Sequence, residues 1–235
     1  MPKEYPDWLV LKSKPKSQIS EAYRFLRANI EFSVTDKHVS TMLVTSAVPQ
    51  ESITSNIINL ALAMVETGKK VIIVDSNLRA PLIHKAFDGD NKPGLTNVLV
   101  NHKTLSEVVK KAEDLHSNLR YIPSGPIPPN PSELLVSEKM KTVIRELREQ
   151  ANMIMFTSPP VIGFSDSIVL ANQVDSVALI INAGEISQEM AKQAKGLLEK
   201  VKTKMLGVIL NNVEIKNENF YHYYKFYNYG KYYDS

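Results

Sequence analysis

The sequence predicts an α/β fold with a doubly wound, mostly parallel sheet in a single domain. Two observations support this. Short apolar runs that suit strands buried on both faces, such as residues 41–46 and 70–75, recur along the chain. Helical stretches separate them, and strand–helix alternation at this spacing indicates parallel strands joined by right-handed crossovers. A chain of 235 residues with 43% hydrophobic content is long enough to bury such a core.

The N-terminal part of the chain is expected to differ from the rest. Residues 1–16 are polar and contain prolines, which predicts an irregular arm. Residues 17–32 have apolar side chains at helical spacing, and Ser17 or Ser20 can cap the helix. The chain therefore divides into three segments: the N-terminal arm and helix over 1–33, the α/β domain over 34–213 and a tyrosine-rich tail over 214–235.

Within the α/β domain the apolar runs and the periodic stretches can be assigned in order. Buried strands are predicted at 41–46, 70–75, 119–124, 153–158, 176–183 and 206–213. Helices are predicted at 54–68, 94–100, 104–112, 130–151, 165–173 and 187–203. Gly68 is a good stop for the first of these helices, and Asn130 with Pro131 is a good start for the longest.

Ligands of open parallel sheets bind beyond the carboxyl ends of the strands. Three such ends carry polar side chains here, from Ser46, Asp75 and Thr157 onward. We therefore expect the functional site where these three segments meet.

Composition excludes several other classes of function. The net charge is only +3, which argues against a nucleic-acid partner, and the chain contains no cysteine for disulfides or thiol chemistry. The N-terminus lacks a signal-peptide core, and no apolar run approaches the roughly 20 residues that cross a bilayer. A cytoplasmic protein that meets a membrane only through a partner is expected.

Residues 43–79 have the outline of a strand, a phosphate-binding loop and a helix, which makes the predicted fold P-loop NTPase-like. The general motif is G-x-x-x-x-G-K-[ST], in which backbone N–H groups and the lysine hold phosphate and the hydroxyl binds Mg²⁺. Aligned from Ala47, this chain has Ser52 for the second glycine, Ile53 for the lysine and Thr54 at the hydroxyl position. Ser52 is expected to need a positive φ where a glycine would adopt it without strain.

Several motifs, taken in order, resemble the bacterial tyrosine kinases of capsule and exopolysaccharide synthesis, in the form of the Firmicutes cytoplasmic kinase domain. Glu21, Arg24 and Arg27 match that family's N-terminal Glu-x-x-Arg-x-x-Arg motif, which implies that these three residues take part in oligomerisation. "VTSAVP", "KVIIVDSNLRAPLIHKAF", "GLTNVL", "PSGPIPPNPSELLVS", "TSPPVIGFSDS" and "GVILNNV" then follow in the family's order, before the tyrosine cluster. The likeness covers nearly the whole chain.

The resemblance implies an ATP- and Mg²⁺-dependent autokinase that works in a ring-shaped oligomer with itself or an active paralogue. It also implies a membrane adaptor of the polysaccharide co-polymerase type. The implied nucleotide-binding residues are Pro49, Gln50, Glu51, Ser52, Ile53, Thr54, Ser55 and, at the adenine, Asn211. The implied phosphate acceptors are Tyr221, Tyr223, Tyr224, Tyr227, Tyr229, Tyr232 and Tyr233.

The acids that such a kinase requires are mostly replaced. Of the family's three aspartates, Asp75 remains, while Asn77 and Thr157 stand at the other two positions. Thr54 and Asp75 are the residues left to bind Mg²⁺. Loss of one charge stabiliser costs about 10²–10³ in rate. The chain is therefore predicted to be a pseudokinase that regulates polysaccharide synthesis and is phosphorylated on its tail.

Two other functions compete with this prediction. The chain could be a working kinase in which Glu51 carries metal and Arg79 moves to phosphate. It could also be a partitioning or division-site ATPase, although the tyrosine tail and the Glu21 segment argue against that class.

Simpler structural roles compete for single residues. Thr54 and Ser55 could cap the helix that begins there, Asp75 could cap a helix without catalysing, and Asn211 could form a turn. Arg24 and Arg27 could lie on a solvated helix face or clamp a partner's carboxylate.

Overall fold

The computed structural model describes residues 5–33, 39–49 and 52–213. They form a seven-stranded sheet in the order β3-β4-β2-β5-β1-β6-β7, in which β3 is antiparallel to β4 and all other pairs are parallel. The strands are β1 Thr41–Ser46, β2 Val71–Val74, β3 Lys110–Lys111, β4 Leu119–Ile122, β5 Met153–Thr157, β6 Ser176–Asn182 and β7 Lys204–Asn211. The predicted α/β class with a mostly parallel sheet is confirmed.

Helices cover both faces of the sheet. They are α1 Val10–Ser13, α2 Gln18–Ser33, α3 Ile53–Val65, α4 Ile83–Ala86, α5 Leu95–Leu99, α6 Leu105–Val108, α7 Pro131–Val136, α8 Glu138–Arg148, α9 Asp166–Ala171 and α10 Gln188–Glu199. Each sheet face packs on its own hydrophobic core, because neighbouring strand residues point to opposite faces. In β5, Met155 joins the core beneath α1, α2 and α3, while Phe156 joins the core beneath α5 to α10.

The central strands are buried along their whole length. All residues of β1, β2, β5 and β6 are buried, which agrees with their mainly apolar runs. The seventh strand differs from the prediction. A buried strand over 206–213 is wrong, because β7 runs from Lys204 to Asn211 at the edge of the sheet and is partly exposed.

The arm before α2 is more ordered than its composition predicts. It contains the short helix α1, and Leu9 and Leu11 are buried against α3. Asn59 of α3 holds it from both sides: its Oδ1 accepts from Leu11 N at 3.2 Å and its Nδ2 donates to Trp8 O at 2.8 Å. The start of α2 agrees with prediction, since Ser17 Oγ accepts from Ser20 N at 3.2 Å.

Two predicted helices are interrupted. The helix predicted over 104–112 ends at Val108, and Lys110–Lys111 instead form β3. The helix predicted over 130–151 is split into α7 and α8 at Ser137, whose backbone is extended at ψ 155°. Ser137 Oγ accepts from Met140 N at 3.2 Å, so a capping bond replaces the continuous helix.

Removing this cap is expected to cost about 1 kcal/mol of stability in Ser137→Ala, because Met140 N loses its acceptor at the start of α8. Urea denaturation followed by circular dichroism measures the change. Ser187→Ala is a matched comparison, since Ser187 Oγ accepts from Met190 N in the same way at the start of α10. An unchanged midpoint in Ser137→Ala would contradict this role.

None of the helices in the part of the chain that the structure describes has both the length and the apolar character to span a bilayer.

Candidate functional site

A cleft of about 780 Å³ lies at the carboxyl ends of β1, β2 and β5. Ser46, Asp75 and Thr157, which follow or end these strands, all line it. The predicted meeting of the three strand ends is therefore confirmed. Apolar side chains form much of the wall, among them Trp8 and Phe164.

Ser52, the residue before α3, keeps the backbone conformation of a phosphate loop without its glycine. Ser52 has φ 51° and ψ 36°, which is the left-handed conformation expected from its position in the motif. This conformation costs a non-glycine residue about 1–2 kcal/mol. The loop is held in place where Val161 N donates to Ser46 O at 2.8 Å and Ile162 N donates to Ala47 O at 3.2 Å.

Helix α3 begins at Ile53, at the position of the missing lysine. Ile53 lines the cleft and packs against the core beneath α3, so no cation is present at this point. The N–H groups of Ile53, Thr54 and Ser55 precede the first intrahelical bond, which Asn56 N donates to Ser52 O at 3.2 Å. The backbone therefore keeps donors that suit an anion, while the Ile53 side chain supplies no positive charge.

The expectation that Thr54 and Ser55 cap α3 is wrong. The capping residue is Ser52, and its side chain makes no capping bond. Ser55 Oγ donates to Ser52 O at 3.0 Å instead of accepting from a helix N–H group. Thr54 lines the cleft.

Asp75 is 1% exposed and its carboxylate accepts four hydrogen bonds from the same chain. Oδ2 accepts from the N–H groups of Leu82 and Ile83, both at 3.0 Å, and so caps α4. Oδ1 accepts from Thr157 Oγ1 at 3.0 Å and from Asn77 N at 3.3 Å. Burial raises the pKa of this carboxyl to about 6, although the hydrogen bonds oppose that rise.

The two residues that replace the family's other acids are also engaged within the chain. Asn77 Oδ1 accepts from Ala80 N at 3.1 Å and forms a turn of the kind that asparagine favours. Thr157 is 3% exposed and uses its hydroxyl as the donor to Asp75. These contacts join the ends of β2 and β5 into one closed polar network.

Arg79 forms a two-pronged ion pair on the other side of the cleft. Its Nε and Nη2 donate to the two carboxylate oxygens of Asp166 at 2.7 and 3.0 Å, and Asp166 is fully buried at the start of α9. Ser132 Oγ also donates to Asp166 Oδ1. The guanidinium lies 5.1 Å from the ring centre of Phe164. The bonds to Asp166 raise the pKa of Arg79, so this cation is committed to its partner.

The residues that line this cleft do not fit a magnesium-bound triphosphate. The four oxygen lone-pair sites of Asp75 are all used by protein donors, and Asn77 and Thr157 supply no negative charge. Mg²⁺ requires hard oxygen ligands, usually one or two carboxylates with substrate phosphates. Within the described ranges, no group of three His, Asp or Glu side chains could hold a metal ion.

Other predicted site residues lie outside this cleft or outside the described chain. Asn211 does not line the cleft; its Nδ2 donates to Asn182 Oδ1 at 2.9 Å. Gln50, Glu51 and the tail tyrosines fall outside the described residues. The first two remain predicted contacts of a nucleotide, and the tyrosines remain predicted phosphate acceptors.

The Glu-x-x-Arg-x-x-Arg segment of α2 binds its own chain. Arg24 Nε and Nη2 donate to the carboxylate of Glu66 at 2.8 and 3.0 Å, and its Nη1 contacts Glu21. Arg27 Nη1 donates to Ala63 O at 3.2 Å. The two-pronged carboxylate contact predicted for an arginine here exists inside the chain, between α2 and the end of α3. A role in oligomers remains a prediction.

Sequence reasoning missed several residues of this site. Asp166 and Ser132 hold Arg79 but lie 87 and 53 positions away along the chain, and no local pattern links them. Trp8 reaches the cleft because the arm docks on α3. The sequence signal that could have placed Asp166 near the strand ends is the motif "TSPPVIGFSDS". This motif begins at Thr157, the last residue of β5, and contains Asp166 near its end.

Comparisons with known proteins show similarity over most of the chain. A family model described as an AAA domain matches residues 52–214. The tyrosine-protein kinase YwqD of Bacillus subtilis is 38% identical over 216 residues, which cover 92% of this chain and 90% of that protein. The putative tyrosine-protein kinase CapB of Staphylococcus aureus is 37% identical over 217 residues, with 92% and 94% covered.

A solved structure gives the same result. The crystal structure of the chimerical protein CapA2B2 superposes with a TM-score of 0.84 and 32% identity, covering 89% of this chain and 92% of that one. The similarity therefore extends over nearly the whole chain and does not depend on one motif.

Proposed function

Because the chain belongs to the bacterial tyrosine-kinase family of capsule and exopolysaccharide synthesis, we propose that it is a catalytically impaired member that regulates polysaccharide synthesis. It is phosphorylated in trans on its C-terminal tyrosines by an active relative. Its partners are that relative, within a ring-shaped oligomer, and a membrane adaptor of the polysaccharide co-polymerase type that recruits it to the inner face of the membrane.

One observation carries the proposal: every oxygen lone pair of Asp75 is occupied by a donor of the same chain. A carboxylate that caps α4 and accepts from Thr157 has no position left for a metal ion or for the proton of an attacking hydroxyl. Without a lysine at Ile53, the charge that develops on the transferred phosphoryl group also has no stabilising cation there.

The tail supplies the regulatory part of the proposal. Residues 221–233 hold seven tyrosines, and each phosphate would add close to two negative charges. Phosphorylated tails repel one another, so modification by an active relative would favour dissociation of the oligomer.

Two measurements on the full chain test the proposal. In the first, thermal unfolding is recorded with 1 mM ATP and Mg²⁺; we expect an unchanged midpoint, because a ligand that binds only the folded state must raise it. In the second, the chain is incubated with an active family member and ATP, and its tail is analysed by mass spectrometry. Phosphate on the tail tyrosines is expected only when the active kinase is present.

The outcomes separate the competing functions. Phosphate incorporation by the purified chain alone, lost in Asp75→Ala, would establish a working kinase with compensating residues. A tail that stays unmodified beside an active relative would contradict the role as a substrate. A control in which the active member has been inactivated by heating excludes phosphorylation by a contaminant in the buffer.

A further inference from the structure

The outer edge of β7 is an open strand edge in the described part of the chain. Strand β7 ends the sheet beyond β6, and none of the strands in 5–33, 39–49 or 52–213 pairs with its far side. Asn211 O accepts from Ala183 N and so points toward the β6 side. Because backbone direction alternates along a strand, the N–H and C=O groups of Val208 and Leu210 point outward. Such an edge can pair with another extended segment.

An apolar groove runs beside this edge. Val208 and Leu210 are 41% and 55% exposed, so two apolar side chains of this edge strand are open to solvent. They form one wall of a groove of about 460 Å³, and α10 forms the other, with Ala191 facing them. Helix α10 buries Ala194 and Leu198 against the sheet but leaves the β7 side chains uncovered.

The polar rim of the groove carries two lysines and no acidic side chain among its described lining residues. Lys192 and Lys195 of α10 both line it. Lys195 is paired with Glu199 at 2.9 Å, whereas no ion pair is found for Lys192 within the described residues. Two copies of this edge would bring equal charges together, so a second copy of the chain is disfavoured and an acidic partner is favoured.

We propose that the edge of β7 and the groove beside α10 bind an extended acidic peptide segment of a partner protein by strand addition. Backbone groups of the segment pair with Val208 and Leu210, alternate apolar side chains enter the groove, and a carboxylate lies near Lys192. Main-chain bonds supply affinity and side-chain pockets supply specificity in this mode of recognition. The surface is separate from the cleft around Asp75, so the proposal does not depend on whether the chain is a kinase.

The probe for a binding test is a fluorescein-labelled peptide of nine residues in which valine alternates with glutamate. Fluorescence anisotropy on the full chain is expected to show saturable binding. Two control peptides share its length: one has lysine for every glutamate, and the other has the same composition with the valines at helical spacing. We expect both controls to bind at least about tenfold more weakly.

Charge reversal of one residue provides the decisive variant. Lys192→Glu is expected to weaken binding of the acidic peptide about fivefold to tenfold and to strengthen binding of the basic peptide. Lys139→Glu, on α8 and outside the groove, changes the net charge equally and should leave both affinities unchanged. Equal effects of the two variants, or failure of the acidic peptide to bind, would overturn the proposal.

Hydrogen exchange locates the peptide. Binding should slow exchange of the amides in residues 204–211, which form β7. Binding without protection there would overturn the proposal, as would slow exchange of the Val208 and Leu210 amides before peptide is added, since another segment of the chain would then already occupy the edge.

Discussion

Replacing Arg79 with alanine is expected to lower the free energy of unfolding by about 3 kcal/mol. Asp166 is fully buried, and the two guanidinium bonds at 2.7 and 3.0 Å are what compensate its charge. Without Arg79 the carboxylate keeps a hydrogen bond from Ser132 but no cation. Since Arg79 itself is 37% exposed, entry of water keeps the cost at the lower end for a broken buried pair. Urea denaturation measures it.

Two further variants show whether the loss comes from the buried charge. Arg79→Ala combined with Asp166→Asn removes that charge and should recover a large part of the stability. Lys103→Ala breaks an exposed ion pair with Glu107 and should change the midpoint little. A loss in Lys103→Ala as large as that in Arg79→Ala would contradict the argument. The same result bears on function, because an arginine that is needed to hold Asp166 is not available to bind phosphate.

Between pH 4 and pH 7 the free energy of unfolding of the chain is expected to fall by about 3 kcal/mol more than that of the Asp75→Asn variant. An unperturbed aspartate has a pKa of 3.8, and burial, which disfavours the charge, raises the pKa of Asp75 to about 6 in the folded chain. Between these values the folded chain holds a proton that the unfolded chain has released. The stabilising contribution is therefore complete below about pH 4 and is lost as the pH rises through about 6.

The comparison with Asp75→Asn isolates this carboxyl from all others that titrate in the same range. Denaturant midpoints of both proteins, measured in chelator at half-unit steps of pH, give the difference directly. Asp90→Asn, which removes an exposed carboxylate, is the control for the change in net charge. Parallel curves for the chain and for Asp75→Asn would show that burial does not shift this group, and would reopen its assignment as an ionised catalytic acid.

The parts of the fold with a strong local pattern were predictable from sequence. Strands β1, β2 and β5 are short apolar runs, and their ends meet at the cleft because parallel strands align their carboxyl ends. The break at Ser137 was not predictable, because the apolar period continues across it. Strand β3 has only two residues and no pattern of its own. The exposure of β7 depends on its place at the sheet edge, which its apolar composition does not reveal.

Within the site, the sequence identified which residues are replaced but not what the replacements contact. The positive φ of Ser52 was predictable, since the loop geometry demands it. The capping of α4 by Asp75 was one of two alternatives, and the structure supports it. The Asp166 partner of Arg79 depends on tertiary packing between segments far apart in sequence, which no local rule describes.

The contact between Thr157 and Asp75 has a consequence for how such a chain could evolve. Their side-chain oxygens lie 3.0 Å apart, so restoring the lost aspartate at 157 would place two carboxylates side by side in a buried space. Like charges this close cannot both ionise without a cation between them. Reversion at this position is therefore penalised until other changes have rebuilt a cation site. The order of mutations therefore matters: the aspartate at position 157 can be regained without this penalty only after a cation site has been rebuilt.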